Sequence, residues 1–301
     1  MLEGLGLRLP QQSLLSGRAM PGPFFNGRAA TMTRVRMFQV DAFSDRPFAG
    51  NPAAVLVLPA PLPVSLMQAI AAENNLAETA FVTPAAKGWH IRWFTPLHEA
   101  AFCGHATLAA AHVLAAELGQ TGPFHFTTER VGPIDVATTG AGLYELDLPR
   151  HDPQRFVPAG DWLRLCGPGF VAAFRNFENV FVELAGAGDV AAFRPDLPAL
   201  AAQGGDGLCV TAAGGASHDG TPADFCSRYF APAAGIDEDP VTGSTHATLV
   251  PYWAARLGRH VLTSFQASRR GGLLACSLTD KRVRVAGHAA TFLSGDIRLP
   301  D

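Results

Sequence analysis

The stretch DEDPVTGSTHATLVPYWAARLGR, Asp237 to Arg259, runs from acids and a proline through Thr-Gly-Ser-Thr-His into an apolar segment that stops at glycine. Turn chemistry followed by an apolar run predicts a loop feeding a helix N-terminus, with a carboxylate beside it. The same grammar occurs a second time. RWFTP (Arg92 to Pro96) leads to CGHATLAAAHVLAAELG (Cys103 to Gly119), as RYFAP (Arg228 to Pro232) leads to TGSTHATLVPYWAARLG (Thr242 to Gly258). In each copy a strand ends at Phe-x-Pro, a loop follows, and a glycine opens a helix that closes at Leu-Gly. The offset is 136 residues between Phe94 and Phe230 and 139 between Gly104 and Gly243, so the second loop is three residues longer. One copy would mean little; two in matched context indicate an internal duplication.

The two helices also predict their surroundings. From Gly104 to Leu118 only His105, Thr107, His112 and Glu117 are polar. A helix apolar nearly all round is buried rather than laid on a surface. The second resembles it, with Pro251 expected to loosen or kink it by removing a backbone donor. Strand-like alternation recurs on both sides of the turn-rich PRHDPQRF, from VRMFQVDAF at Val35 to RVRVAG at Gly287. The expected fold is α+β: two pseudo-symmetric domains, each a curved, mostly antiparallel sheet around a central helix. Their limits are 35–150 and 151–301, with the last strand pairing back on the first domain.

Residues 1–34 read differently, with Gly and Pro throughout, four arginines and one acid. An upstream start or an unfolded tail fits best. A targeting peptide should form an amphipathic helix, which Pro and Gly oppose, and a secretory signal lacks its apolar core.

Composition narrows the function classes. The chain has 301 residues, 48% hydrophobic and 16% charged, with a formal net charge of -3. Nothing there points to nucleic acid or to an anionic membrane, and no apolar run would span a bilayer. Five scattered cysteines without a Cys-x-x-Cys pair argue against a disulfide framework or zinc site and fit a reducing cytoplasm. No His-Glu-x-x-His supports a hydrolytic metal centre. The expected partner is a small carboxylate substrate, with no metal, no organic cofactor, no nucleic acid and no membrane; a homodimer stays open.

Two facing helix N-termini would present free N–H groups and the positive ends of two dipoles to a carboxylate. Gly104 and Gly243 would let it approach the backbone, and Thr107 and Ser244 could add hydroxyl donors. The competing account has Ser244 and Thr245 as ordinary helix caps. Candidate acids and bases are Glu78, Asp239 and His105. Glu78 lies where a helical stretch gives way to the apolar strand ETAFVTP, so partial burial should raise its pKa. Asp239 sits at a helix entrance, where a negative charge is stabilised without any catalytic role. His105, in the first turn of a buried helix, is favoured as neutral imidazole. The helix dipole could lower the pKa of Cys103, but Thr242 occupies the matching position in the second copy, so a two-thiol racemase mechanism is not available.

FQVDAFSDRPFAGNPAAVL, NNLAETAFV, RWFTP…CGHATLAAAHVL, DEDPVTGSTHATLVPYWAARLG and QASRRGGLL together resemble the PhzF-like isomerase family, from about Val35 to Gly287. The resemblance implies the diaminopimelate epimerase fold and proton shuttling without metal or organic cofactor. It implies Glu78 as the catalytic acid/base, Gly104 and His105 as cleft residues, and Asp239 and Ser244 as further polar site residues. It supports the site more than the substrate. Three classes therefore stand: an isomerase moving a proton within a small carboxylate, an amino-acid-like racemase or epimerase, and a non-catalytic binding protein of the same fold.

Overall fold

Parallel strands need a crossover, and the places where crossovers fall define this fold. The structure, a computed structural model, describes residues 33–139, 142–205 and 207–299; the expectation for 1–34 lies, up to residue 32, outside the described residues. The α-helices are α1 (Val64–Asn74), α2 (Gly104–His112), α3 (Asp161–Leu165), α4 (Ala187–Ala192), α5 (Leu197–Ala201) and α6 (His246–Leu257).

In the first half, strands Thr33–Ala42, Asn51–Val57, Glu78–Pro84, Trp89–Phe94, Phe124–Thr127, Ile134–Thr138 and Tyr144–Pro149 lie side by side in sequence order. Two neighbouring pairs are parallel: Asn51–Val57 with Glu78–Pro84, bridged by α1, and Trp89–Phe94 with Phe124–Thr127, bridged by α2. The second half repeats this order in Phe170–Arg175, Asn179–Leu184, Gly207–Ala213, Phe225–Ala231, Val261–Gln266, Gly272–Leu278 and Arg282–Gly287. Its parallel pairs fall at the equivalent positions, bridged by α4 and α5 and by α6. The halves join where Tyr144–Pro149 pairs antiparallel with Arg282–Gly287. The strand Ala289–Leu299 returns to pair with Thr33–Ala42. The result is one mixed, mostly antiparallel curved sheet with α2 and α6 inside its two curls and α1 and α3–α5 packed on the opposite face, and no described helix is long and apolar enough to cross a membrane.

The central helices sit as their composition requires. Every residue of α2 from Gly104 to Ala111 is buried, and eight of the twelve in α6 are. One core runs through both halves, from Trp93, Leu108 and Phe126 to Phe225, Trp253 and Leu274. Each large side chain withdrawn from water there contributes about 1.5–3 kcal/mol. Trp253 keeps its indole N–H satisfied on Thr211 Oγ1 at 2.9 Å, as a buried donor must.

Two local expectations change. The first helix does not stay α to Gly119: after His112 it widens into a π turn over Val113–Glu117, with Leu118 N bonding Val113 O. Pro251 does not break α6, which is continuous from His246 to Leu257. The carbonyl that Pro251 cannot serve is Ala247 O, and His151 N donates to it at 3.0 Å. The orphan acceptor is satisfied from outside the helix.

Candidate active site

Four segments meet where the halves touch. Asn51 opens one strand and Glu78 opens its parallel neighbour. Cys103, Gly104 and His105 enter α2, and Asp239 ends the short strand Ile236–Asp239 before Thr242, Gly243 and Ser244 lead into α6. The two helix entrances abut: a Cβ built on Gly104 would lie 3.9 Å from Gly243 Cα.

A continuous line of contacts joins the candidate acids across the halves. Glu78 Oε2 lies 3.2 Å from His105 Nε2. His105 Nδ1 lies 3.1 Å from Asn51 Nδ2, which also donates to Asp239 Oδ1 at 2.8 Å and to Val241 O at 2.9 Å. Those two oxygens fix which end of the Asn51 amide faces the site, because the reversed amide would set its oxygen against both of them. His105 Nδ1 thus faces the N–H end of the amide, which favours the neutral tautomer with its hydrogen on Nε2, toward Glu78. Thr242 Oγ1 closes the line by donating to Asp239 Oδ2. Gln266 locks the loop, accepting from Thr242 N and donating to Asp239 O, each at 2.8 Å.

Burial sets the electrostatics. The Glu78 carboxyl is pushed up to about 8, chiefly by loss of water and then by the charge of Asp239, with a contact to Cys103 opposing. Asp239 is pushed up to about 6 by burial, restrained by its bonds from Thr242 and Asn51. His105 is pushed down to about 3 by burial, so the imidazole is neutral. Near neutral pH the pair holds one proton, resting on Glu78, with Asp239 ionised. Glu78 Oε2 is buried without a hydrogen-bond partner, since its approach to His105 is not aligned as a bond. The Cys103 thiol goes the other way from the dipole expectation. Burial and then the charge of Glu78 hold it well above the ordinary thiol range, and these outweigh the Ala106 amide at its sulfur.

Neither central helix has a side-chain cap. Thr245, at the cap position of α6, turns its hydroxyl back to donate to Thr242 O at 2.8 Å. The N–H groups of Gly243, Ser244 and Thr245 find no protein acceptor among the described residues, and the Ser244 hydroxyl makes no hydrogen bond there. Half-buried Ser244 faces a cavity of about 400 Å³ that is also lined by Phe102, His151 and Phe177. Three consecutive free amides at a helix entrance have the chemistry to receive an anion.

Of the residues singled out from sequence, Glu78, His105, Asp239, Gly104 and Gly243 converge, and Ser244 borders them. Thr107 does not join: it is fully buried and its hydroxyl donates to Cys103 O at 2.6 Å, one turn back in its own helix. At Gly243 a Cβ would meet the Phe43 ring at 3.3 Å, so protein as well as ligand calls for glycine there. Asn51 and Gln266 went unnoticed as site residues, although both lie in quoted motifs. Their role is to bridge 188 and 24–27 residues of sequence, which no local spacing displays. Glu78, Cys103 and His105 are also the described group whose ligand atoms, within 4.8 Å of one another, could hold a metal ion.

Comparison with known proteins identifies the family. A family model described as phenazine biosynthesis-like protein matches residues 40–295. The chain is similar to an uncharacterized isomerase of Pseudomonas aeruginosa, at 46% identity over 88% of this chain and 99% of that one. Its structure is similar to the crystal structure of a PhzF-family protein of Enterococcus faecalis, with a TM-score of 0.82 and 40% identity over 88% and 99% of the two chains. A hydroxyproline epimerase of Agrobacterium vitis shares the fold, with a TM-score of 0.53 at 10% identity over 89% of this chain and 93% of that one. With its duplicated sheet, abutting helix entrances and the matched segment taking in every site residue, this chain belongs to the phenazine biosynthesis-like family.

Proposed function

We propose that this protein is a cofactor-independent isomerase that moves a proton within a small carboxylate-bearing metabolite. The observation that supports the reading is the line Glu78–His105–Asn51–Asp239, which links two buried carboxyl groups, both with raised pKa, beside uncapped amides. The substrate carboxylate binds the free N–H groups of Gly243, Ser244 and Thr245, where the helix dipole favours negative charge. Glu78 exchanges a proton with a substrate carbon. Asp239 takes the complementary charge state, and neutral His105 holds the Glu78 carboxylate by its Nε2 hydrogen as that carboxylate forms. The Asn51 amide keeps both groups in register. A positioned acid/base of this kind contributes roughly 10²–10⁴-fold.

The experiment is solvent-deuterium exchange into a panel of small carboxylates by chelator-treated protein, read by NMR. Deuterium at a migrated position supports the isomerase. Deuterium at a retained centre with inversion replaces it by an epimerase. Absence of exchange in any ligand that binds overturns enzymatic function. Loss of exchange on chelation, restored by adding one metal back, overturns the metal-free mechanism.

A further inference from the structure

Building on the carboxylate anchor proposed above, we infer that the cavity beside Ser244 receives the rest of the substrate, that this body is apolar, and that Phe177, backed by His151, selects it.

The internal duplication shows why this cavity is open. Leu146 pairs with Val285 across the seam between the halves. The ladders that run out from that pair match, so that Leu148 corresponds to Gly287 and Gly132 to Gly272, as Gly104 does to Gly243. Each central helix entrance should then have a depression beside it. At the entrance of α6 Phe43 fills that depression: a Cβ on Gly243, Gly272 or Gly287 would meet Phe43 atoms at 3.3, 3.2 and 2.4 Å. A space of about 240 Å³ is left outside the wedge. Phe43 rides on residues 41–52, which connect the paired Val40 and Ala53. The matching connection in the second half, between Asn176 and Asn179, holds only Phe177 and Glu178. It is too short to send a wedge back, and Leu148 stands where the wedge requires glycine. The counterpart is therefore a cavity of about 400 Å³, with both halves in its wall.

That wall decides the chemistry. Phe102, Leu148, His151 and Phe177 give it an apolar and aromatic lining, and Ser244 brings the uncapped end of α6 to its edge. A volume of this size, mostly apolar with a few polar groups at one end, suits a small molecule held by its head. Phe177 is 67% exposed at the tip of its turn, edge-on to the His151 ring with centroids 5.0 Å apart. A carboxylate on the amides of Gly243, Ser244 and Thr245 opens into this space, and an apolar body behind it covers the Phe177 ring. Burying that body withdraws both surfaces from water.

The test titrates the full-length protein by NMR with acetate, butanoate, hexanoate, phenylacetate and 3-phenylpropanoate. Affinity should rise roughly 4-fold for each methylene that enters the cavity. Phe177→Ala, checked for an unchanged thermal midpoint, should weaken hexanoate and 3-phenylpropanoate by about 5-fold or more and leave acetate unchanged. Affinities that stay flat along the series, or no saturable binding by any member, overturn the inference. So does a gain with length that Phe177→Ala leaves intact, since the body then lies elsewhere. Ser244→Ala separates this from the anchor, because it should weaken every member by the same factor. An equal loss in Ser244→Ala without any gain along the series sinks the apolar subsite and keeps the anchor. A gain that depends on Phe177 with no effect of Ser244→Ala keeps the subsite and sinks the anchor.

Discussion

Glu78 sits where a carboxylate is poorly stabilised, and that discomfort predicts how it can be recognised. An unfolded Glu loses its proton near 4.5, but this one holds it to about 8, chiefly because of burial. The folded protein therefore binds more protons than the unfolded chain between those values. Stability contributed at this residue falls as pH rises through that window and is lost fully above about 8. Glu78→Gln removes the titration. The difference in thermal midpoint, variant minus wild type, should increase between about pH 5 and 8 while exchange activity falls by roughly 10²–10⁴-fold. A pH-independent difference would show that Glu78 is not held protonated, and activity within a few-fold of wild type would remove it from the chemistry. Asn51→Ala should act differently. It strands Asp239 Oδ1 and Val241 O without their buried donor, which costs about 1–3 kcal/mol at each group left unpaired. It also frees the His105 tautomer, visible as a change in the ring ¹⁵N shifts; unchanged shifts would show that Asn51 does not set it. Apolar neighbours let partial burial of Glu78 be expected, but its local sequence alone favours a solvated loop acid, and its place in the site came from the family resemblance. Asn51 was not legible, because it sits in turn chemistry that looks complete without it.

At the scale of elements, the two helix entrances were legible and their contents only partly so. Duplication and near-continuous apolarity predicted buried helices, and the alternating strands around them predicted the sheet. Capping could not be decided from sequence, since Ser, Thr and Gly at a helix entrance serve a cap and an anion site equally well. The geometry separates the two accounts. With Thr245 bonded back to Thr242 O and Ser244 unbonded, Ser244→Ala should leave the thermal midpoint within about 1 °C, since surface changes away from structural features stay near zero. The same substitution should weaken a carboxylate ligand by roughly 10-fold or more, because a hydrogen bond to a charged group is worth about 1.5–3 kcal/mol. A loss of about 1 kcal/mol in stability with affinity unchanged would return the residue to a cap. Gly243→Val is the less clean probe, because its side chain strikes Phe43 before any ligand. Pro251 shows the same limit. The rule that proline disturbs a helix holds locally, but the backbone that compensates is His151, 100 residues earlier.

The whole molecule depends on how the first half is keyed into the second, and Phe43 and Arg270 carry much of that. Phe43 adopts a left-handed backbone at φ 61°, which costs a non-glycine residue roughly 1–2 kcal/mol. Its ring is wedged against second-half glycines: a Cβ on Gly287 would fall 2.4 Å from Phe43 Cδ1, so no larger residue fits opposite. Beside it, Arg270 from the second half bonds Asp41 Oδ1 at 2.7 Å, Gly50 O at 2.8 Å and Ala49 O at 2.9 Å. That clamp ends one residue before Asn51, so the register of the Glu78–His105–Asn51–Asp239 line depends on it. Asp41 is only 2% exposed, and burial raises its pKa despite Arg270 and the Phe48 amide. Arg270→Met would leave that carboxylate buried without its cation, a situation that typically costs about 3–5 kcal/mol. We expect a drop in thermal midpoint of about 6–10 °C near neutral pH. The drop should shrink as pH falls, because a protonated Asp41 no longer needs the cation. Exchange activity should fall with it, since Asn51 loses its fixed place opposite Asp239. Adding Asp41→Asn to Arg270→Met should restore most of the stability but less of the activity, because the bonds to Ala49 and Gly50 stay broken. An Arg270→Met protein with the wild-type midpoint and full exchange would mean that the halves are keyed by the sheet seam alone.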